Sequence, residues 1–223
     1  MDTLRKFWNK LAGKELVEKA PAITNVAVFG FADAKSDSAL YKEAYKVTKA
    51  LAEAGYIVVD GGGPGIMEAA TLGAKAGGGK VVGVTFYPTD APNFEGRDPH
   101  NNLDVEIKTK TYAERTLTLM KEGQVYIVFN GGTGTLSEFA MAWGMARIYF
   151  GHHKPIILYG SFWKKILRVL LKNLLIRPIE TQVYKIVSSP KGVLKAIRDF
   201  GYEIEAGRYK ELKVSKEEGF SIE

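Results

Sequence analysis

The residues of this chain best suited to chemistry lie in the stretch N-G-G-T-G-T-L-S-E, residues 130–138. Its glycines allow the backbone to present several N–H groups in a concave arrangement, and a helix predicted to follow adds positive potential at its first turn. The two threonines add hydroxyl donors. This combination suits one phosphate group, so we predict that phosphate is bound by Gly131, Gly132, Thr133, Gly134 and Thr135.

Two common nucleotide-binding motifs are absent from this stretch. The G-K-[ST] of a Walker A loop is missing, so a bound triphosphate with magnesium is not expected. The dinucleotide fingerprint G-x-G-x-x-G is incomplete at Ser137, and the first strand–helix turn, its usual place, reads G-F-A-D-A-K. A nicotinamide-dependent dehydrogenase is therefore unexpected.

Glu138 has two interpretations that its spacing does not separate. Thr135 and Glu138 fit the capping box S/T-x-x-E, in which the glutamate reaches back to the first backbone amide of a helix. The same carboxylate, one turn after a phosphate site, is also placed to act on a ligand.

A second glycine-rich stretch, D-G-G-G-P-G-I-M-E-A at 60–69, runs from a predicted strand into a helix, with Pro64 suited to the first helical turn. It is either a tight packing turn or an anion-binding edge, and three consecutive glycines favour the edge. Asp60 is equally suited to a ribose hydroxyl and to helix capping.

Arg115 lies in the predicted helix T-Y-A-E-R-T-L-T-L-M, 111–120. Its guanidinium can pair with a phosphate, but periodicity alone favours a salt bridge to Glu114 or another surface acid. The adjacent His152 and His153 do not face one ligand, and neither H-E-x-x-H nor G-x-S-x-G is present. We predict no metal site.

The elements that must position these residues alternate between short apolar runs and helical patterns. One helical pattern spans 36–55 and ends at Gly55. The longest runs are rich in Val and Ile rather than alternating, as in strands covered on both faces. The predicted strands are 24–30, 56–60, 80–86, 104–108, 124–129, 155–159 and 182–187.

This alternation predicts a single α/β domain with a doubly wound, mainly parallel, Rossmann-like sheet of about seven strands and helices on both faces. We place the domain at 21–203, after an N-terminal helix at 1–20 and before a polar tail at 204–223. Ligands of such sheets bind beyond the carboxyl ends of the strands, where Gly30 and both glycine-rich stretches fall.

Composition narrows the class of protein. The 223 residues are 46% hydrophobic and include no cysteine, which excludes disulfides and thiolate chemistry. No apolar run is long enough to cross a bilayer and no secretory signal is evident, so we expect a cytosolic protein without a membrane partner.

The net charge of +6 raises nucleic acid as a partner, and residues 151–200 hold ten Lys or Arg against two acids. We interpret the basic residues Lys165, Arg168 and Lys172 as a solvated helix face rather than a DNA-binding surface. The opposite, apolar face would consist of Phe162, Ile166, Val169 and Leu170.

Taken together, D-G-G-G-P-G-I-M-E-A-A, the pair E-R and the later G-G-T-G-T-L-S-E resemble the LOG (Lonely Guy) phosphoribohydrolases over residues 24–200. The family pattern is P-G-G-x-G-T-x-x-E with an upstream Arg-Lys pair. The wider group includes DNA-processing DprA-like domains and molybdenum-cofactor carrier proteins. Bacterial members have been called lysine decarboxylases, but no pyridoxal-phosphate lysine site is evident here.

The resemblance implies hydrolysis of the N-glycosidic bond of an AMP-like nucleoside 5′-monophosphate, without metal or organic cofactor, in a homodimer or a higher homo-oligomer. It implies catalytic roles for Arg115 and Glu138, with phosphate on residues 131–135. The same cleft would be lined by Gly30, Gly61, Gly62, Gly63, Gly65, Met67 and Glu68, and base contacts would come from the loop 87–97.

Two positions depart from the family pattern: Asn130 stands in place of Pro, and Thr116 in place of Lys after the arginine. The continuation G-T-L-S-E-F-A-M-A-W, with K-P-I-I-L later, is also similar to the carrier branch. The alternative function is therefore a binding protein for a nucleotide-like cofactor, and a less favoured one is a DprA-like DNA-handling protein.

Overall fold

The structure is a computed structural model and describes residues 23–91, 94–151 and 153–205. The predicted N-terminal helix at 1–20 and almost all of the predicted tail at 204–223 lie outside the described residues. No helix in the described ranges is long and apolar enough to cross a membrane.

All seven predicted strands are present, and they form one parallel sheet in the order β4-β3-β2-β1-β5-β6-β7. Most of them are fully buried, as their apolar runs predicted. Their bounds are Asn25–Phe29 (β1), Ile57–Asp60 (β2), Val81–Phe86 (β3), Val105–Thr109 (β4), Val125–Val128 (β5), Ile156–Tyr159 (β6) and Tyr184–Val187 (β7).

Helices connect the strands. The first begins after Ser38, whose hydroxyl accepts a hydrogen bond from the Tyr41 amide at 3.2 Å, and Gly55 just after its end takes a φ of 86°. The described helices are Ala39–Glu53 (α1), Ile66–Ala76 (α2), Tyr112–Glu122 (α3), Thr133–Ile148 (α4), Trp163–Asn173 (α5) and Pro190–Glu205 (α6), with a short 3-10 turn at Pro178–Thr181.

The sheet is covered on both faces, which confirms the doubly wound α/β class. Alternate residues of β1 point to opposite sides: Val26 and Val28 pack in one apolar cluster, Ala27 and Phe29 in the other. The first cluster includes residues of α1, α2 and α6, and the second includes residues of α3, α4 and α5.

The predicted apolar face of α5 is confirmed for Phe162 and Leu170, which pack against the core, and is wrong for Ile166 and Val169. The helix buries Trp163 and Leu167, whereas Ile166 is 38% exposed and Val169 is 60% exposed. The apolar arc of this helix is wider than the part that the sheet covers, and periodicity alone does not show which part is covered.

The strand order reverses direction beside β1, which pairs with β2 on one side and with β5 on the other. The loops after β1 and β5 therefore lead away from each other and leave a crevice at the carboxyl edge of the sheet. The two glycine-rich stretches of the sequence flank this crevice.

Candidate functional site

A cavity of about 350 Å³ lies at this reversal point. It is lined by the loops after β1 and β2, by residues 94–96, by α3 and by the first turns of α4. Among the predicted site residues, those in its lining are Gly30, Gly61, Met67, Arg115, Gly132, Thr133, Gly134, Thr135 and Glu138.

The other predicted residues are not among the lining residues: Gly62, Gly63, Gly65, Glu68 and Gly131. The first three are buried within the loop that follows β2, and Glu68 hydrogen-bonds Tyr41 on α1. Gly131 is one residue before the cavity and forms part of the turn that leads into α4.

The floor of the cavity is the open N-terminus of α4. The helix begins at Thr133, and its N-cap Gly132 supplies no side-chain hydrogen bond. The backbone N–H groups of Thr133, Gly134 and Thr135 have no acceptor in the described part of the chain. Together with the helix dipole, these three donors can bind an anion of the size of one phosphate.

Asn130 holds the turn that precedes α4. Its side-chain Oδ1 accepts a hydrogen bond from the Gly131 amide at 2.9 Å, and its carbonyl accepts one from the Phe31 amide at 3.2 Å. The second bond ties the loop after β5 to the loop after β1. The asparagine side chain thus fixes this turn at the position where the family pattern has proline.

Glu138 lies in the second turn of α4, and its side chain turns into the cavity. The capping interpretation is wrong, because the helix already begins at Thr133 and Thr135 is one of its internal residues. The residue is only 8% exposed, and its carboxylate accepts no hydrogen bond from the described residues. Burial raises the pKa of Glu138 to about 7, although the positive charge of Arg115 opposes the shift.

Arg115 is 5% exposed and is held mainly by backbone carbonyls. Its Nε donates to the Val84 oxygen and its Nη2 to the Gly61 oxygen, both at 3.0 Å. The Phe94 ring lies 5.6 Å from the guanidinium carbon. Nη1 has no partner among the described residues, so it is the nitrogen left for a ligand.

The predicted ion pair between Arg115 and Glu114 is not formed. Glu114 instead completes the cap of α3: its amide donates to the Thr111 hydroxyl at 3.1 Å, and its carboxylate accepts from the Lys110 amide at 2.7 Å. Because the Glu114 carboxylate is bonded to the backbone at the start of α3, it does not pair with Arg115, and the arginine extends into the cavity.

The glycine-rich stretch after β2 provides the seat for Arg115. A Cβ at position 61 would overlap Nη2 of the arginine, so only glycine fits beneath the guanidinium. The first amide of α2, from Ile66, donates to the Phe31 oxygen at 3.0 Å and is not open to an anion. This stretch therefore orients a cation instead of presenting amides to a phosphate.

Asp60 neither lines the cavity nor caps a helix. It is fully buried, and its carboxylate accepts from the Gly62 amide at 2.7 Å and from the Thr71 hydroxyl at 2.9 Å. A ribose in the cavity has no access to it.

Three aromatic side chains of the cavity wall were not among the predicted site residues. Phe31, Phe94 and Tyr112 line the cavity, and the last two rings meet edge to face at 6.1 Å. Tyr112 precedes Arg115 by three residues, so helical periodicity was a usable signal for it. Phe94 belongs to the loop predicted to supply base contacts, but no periodicity singles it out.

Thr116, at the second departure from the family pattern, is 2% exposed and is not among the lining residues. Arg115 is therefore the cation of the described cavity wall, opposite the carboxylates of Glu95 and Glu138. No group of three or more potential metal-ligating side chains occurs in the described ranges.

Comparisons with known proteins identify the family of the chain. The model of the SLOG cluster4 family matches residues 23–176. A cytokinin riboside 5′-monophosphate phosphoribohydrolase of Mycobacterium tuberculosis is 34% identical over 166 residues, which are 70% of this chain and 84% of that protein.

Solved structures share the fold. The molybdenum cofactor binding protein of Rippkaea orientalis superposes with a TM-score of 0.59 at 25% identity, over 82% of this chain and 99% of that one. The molybdenum cofactor carrier protein of Chlamydomonas reinhardtii gives 0.58 at 24% identity, over 79% and 97%. The resemblance predicted from the glycine-rich stretches is confirmed: the chain belongs to the SLOG cluster4 family, a LOG-like family.

Proposed function

We propose that this protein hydrolyses the N-glycosidic bond of nucleoside 5′-monophosphates and releases the free base and ribose 5-phosphate. The observation that carries the proposal is the Glu138 carboxylate. It is buried, accepts no hydrogen bond from the described chain and faces the same cavity as the open amides of α4. A buried polar group without a partner costs stability, and such groups are concentrated at sites of chemistry.

In this proposal the 5′-phosphate binds the amides of Thr133, Gly134 and Thr135. A single phosphate suits the site, because three amides and one guanidinium supply limited positive charge. The ribose then extends toward Glu138, which lies one turn further along the same helix.

The chemistry assigned to Glu138 is that of a carboxylate in glycoside hydrolysis. The bond between C1′ and the base nitrogen breaks, and the base leaves with the electron pair and takes up a proton from solvent. The ionised carboxylate stabilises the positive charge that develops on the ribose and accepts a proton from the water that attacks C1′. Glu138 then releases this proton to solvent, so the reaction consumes one water overall. The free Nη1 of Arg115 orients the phosphate or a ribose hydroxyl.

The relative of Mycobacterium tuberculosis supports this function, because its name states the same reaction on a cytokinin riboside 5′-monophosphate. We therefore place AMP-like purine monophosphates first among the substrates to test. We also propose a cytosolic location, which the lack of cysteine and a nucleotide substrate both favour.

A second candidate function is the binding of a nucleotide-like cofactor without turnover. Its support is the similarity to the molybdenum cofactor binding protein of Rippkaea orientalis. The aromatic wall of Phe31, Phe94 and Tyr112 suits any planar ring system as well as a purine. In this alternative Glu138 has no catalytic role, whether or not it contacts the ligand, and no bond of the ligand is broken.

We also propose that the protein is a homodimer that pairs through α4 and α5. Both helices pack on the same face of the sheet and expose apolar side chains that a monomer leaves in water. These are Leu136, Met141 and Ile148 of α4, and Ile166, Val169 and Leu171 of α5.

The experiment is incubation with a panel of nucleoside 5′-monophosphates, followed by detection of free base, for the wild type and Glu138→Gln. We expect release of base from at least one purine monophosphate by the wild type and none by the variant. The variant should still bind that monophosphate with an affinity within about tenfold of wild type, since the α4 amides are unchanged. Binding of the panel without any cleavage by the wild type would instead support the carrier function.

A further inference from the structure

The proposed reaction assigns no role to Asp60, a buried carboxylate behind the cavity. Asp60 ends β2 with no exposed surface and does not line the cavity. Burial raises its pKa to about 6, against the lowering effect of its hydrogen bonds and of the nearby arginines. An ionisable group at such a position lowers stability relative to an apolar residue, so a purely structural role explains it poorly.

The two hydrogen bonds of Asp60 define what it holds. Its Oδ1 accepts from the Gly62 amide at 2.7 Å. That N–H belongs to the same peptide plane as the Gly61 carbonyl, and the Gly61 carbonyl accepts from Nη2 of Arg115 at 3.0 Å. Asp60 therefore holds one side of this peptide plane and Arg115 the other.

The peptide plane needs such a restraint. Both of its residues are glycines, and Gly62 has a φ of 66°, so no side chain of their own restricts the orientation of the plane. Rotation would turn the Gly61 carbonyl away from the guanidinium. The guanidinium would then keep only the hydrogen bond from Nε to the Val84 oxygen and the weak contact of Nη2 with the Met67 sulfur.

The carboxylate of Asp60 is itself fixed from the opposite side. The Thr71 hydroxyl on α2 donates to Oδ2 at 2.9 Å, and Thr71 is fully buried. A continuous chain of hydrogen bonds thus runs from α2 through Asp60 and the Gly61–Gly62 peptide to Arg115. Bonds in such a chain polarise and strengthen one another.

We infer that Asp60 is a positioning residue that aims Arg115 into the cavity through the Gly61–Gly62 peptide. The inference rests on the proposed function only for its effect on turnover. The orientation of Arg115 is a property of the protein without ligand. With Nε and Nη2 held, Nη1 is the donor that remains for the substrate.

The direct test is NMR of the Arg115 Nε–H group in the full chain without ligand, assigned by its loss in Arg115→Lys. In the wild type this proton should exchange slowly with water at neutral pH, because it is buried and bonded to Val84. Asp60→Ala should speed its exchange by about tenfold or more, as the guanidinium loosens. Asp60→Asn, which keeps an acceptor for the Gly62 amide, should restore slow exchange.

Two further variants complete the test. Thr71→Val removes only the outer hydrogen bond and should speed the exchange by less than Asp60→Ala does. Asp104→Ala is the matched control: Asp104 also accepts from a backbone amide, that of Val81 at 2.7 Å, but has no contact with the arginine seat. Unchanged exchange in Asp60→Ala, or equally fast exchange in Asp104→Ala, would overturn the inference. If Asp60→Ala does not fold, Thr71→Val decides: exchange as slow as in the wild type would overturn it.

The same variants in the AMP assay separate this inference from the proposed function. We expect Asp60→Ala to lower kcat by about 10- to 100-fold with a KM within about threefold of wild type, and Asp60→Asn to recover most of the loss. An inactive wild type would refute the proposed function, while the exchange of the Arg115 proton would still decide on Asp60.

Discussion

At the residue scale, Glu138 and Arg115 share one cavity without forming an ion pair within 4.0 Å, although both are almost fully buried. The arginine satisfies its burial through backbone carbonyls, whereas the glutamate has no such partner among the described residues. The separation leaves the carboxylate available to a water or a ribose. It also makes the ionisation of Glu138 sensitive to pH in the neutral range.

The first prediction concerns the pH dependence of cleavage. Because the ionised carboxylate is required and burial raises the pKa of Glu138 to about 7, kcat/KM for AMP should rise with pH and level off above that value. Initial rates between pH 5.5 and 8.5 measure this.

A phosphate monoester also ionises near pH 6, so the control for this profile is the 5′-phosphorothioate of AMP, whose own ionisation is shifted. The midpoint of the pH profile should be the same for AMP and for the phosphorothioate, because it is set by Glu138 and not by the ionisation of the ligand. A rate that is flat across the range would contradict the role of Glu138 as a base.

The second prediction concerns the free energy of unfolding. Below the ordinary pKa of 4.5 the carboxyl is protonated in both states and has no linked effect. Between 4.5 and about 7 the unfolded chain ionises first, so the folded state loses stability as pH rises, to a limit of ~3 kcal/mol. Glu138→Gln should therefore raise the free energy of unfolding by roughly 1–3 kcal/mol at pH 8 and change it little at pH 4.

Urea unfolding at the two pH values measures this difference. Glu53→Gln, an exposed position on α1, is the control and should have little effect at either pH. A variant no more stable than wild type at pH 8 would show that the Glu138 carboxylate is not destabilised by burial.

At the element scale, two loops with similar glycine content have different tasks. The loop before α4 leaves three amides open for an anion, whereas the loop before α2 holds a guanidinium against Gly61 and uses its first helical amide internally. Composition alone does not distinguish these tasks. They depend on which neighbouring loop approaches each turn.

The third prediction tests the seat of the arginine. Gly61→Ala should displace the guanidinium, because the new methyl group would overlap Nη2, and should lower kcat/KM for AMP by about 10-fold or more. Gly201→Ala, in α6, is the control: its methyl group meets open space, so the activity should be unchanged. Circular dichroism verifies that both variants fold. Normal activity of a folded Gly61→Ala would show that the position of Arg115 is unimportant.

The strands and the edge of the sheet that carries the site were predictable from the sequence. Buried parallel strands are continuous apolar runs between turn residues, and the carboxyl ends of such strands meet at one edge. The partners of Arg115 were not predictable, because the Gly61 carbonyl is 54 positions away along the chain and no spacing rule connects them. The nearby Glu114 was the local alternative, and its spacing from Thr111 matches that of a capping box, in line with the cap that it forms at the start of α3.

Glu138 illustrates how a small shift of an element changes an interpretation. The capping interpretation of Glu138 makes Thr135 the N-cap, whereas the N-cap is Gly132, three residues earlier. That shift moves the glutamate from the first turn, where it would cap, to the second turn, where it faces the cavity. A helix start rich in glycine and threonine offers several candidate N-caps, so the sequence does not fix the boundary to one residue.

At the scale of the whole molecule, the outer surfaces of α4 and α5 expose apolar side chains to solvent. Val169 is 60% exposed and Ile148 is 64% exposed, while the same helices bury Trp143 and Trp163 against the sheet. Leu136, on the exposed side of α4, directly follows the turn whose amides are open to the cavity. A partner subunit on this face would lie beside the mouth of the cavity.

The fourth prediction follows from this surface. The wild type should be a dimer in solution, and Val169→Glu should shift it to monomers, because a charge would be buried at the subunit contact. Light scattering after size-exclusion chromatography measures both. Leu72→Glu is the control, since Leu72 on α2 is 40% exposed on the other face of the sheet and should leave the dimer intact. A wild type that is monomeric at micromolar concentration would exclude the dimer.

The most direct test of the central claim is the stoichiometry of products from AMP. Free adenine and ribose 5-phosphate are quantified together over time with the wild type and with Glu138→Gln. We expect the wild type to form the two products in equal amounts, and the variant to bind AMP but form neither. AMP that remains intact with the wild type, or equal product formation by the variant, would contradict the claim that the buried Glu138 carboxylate cleaves the glycosidic bond.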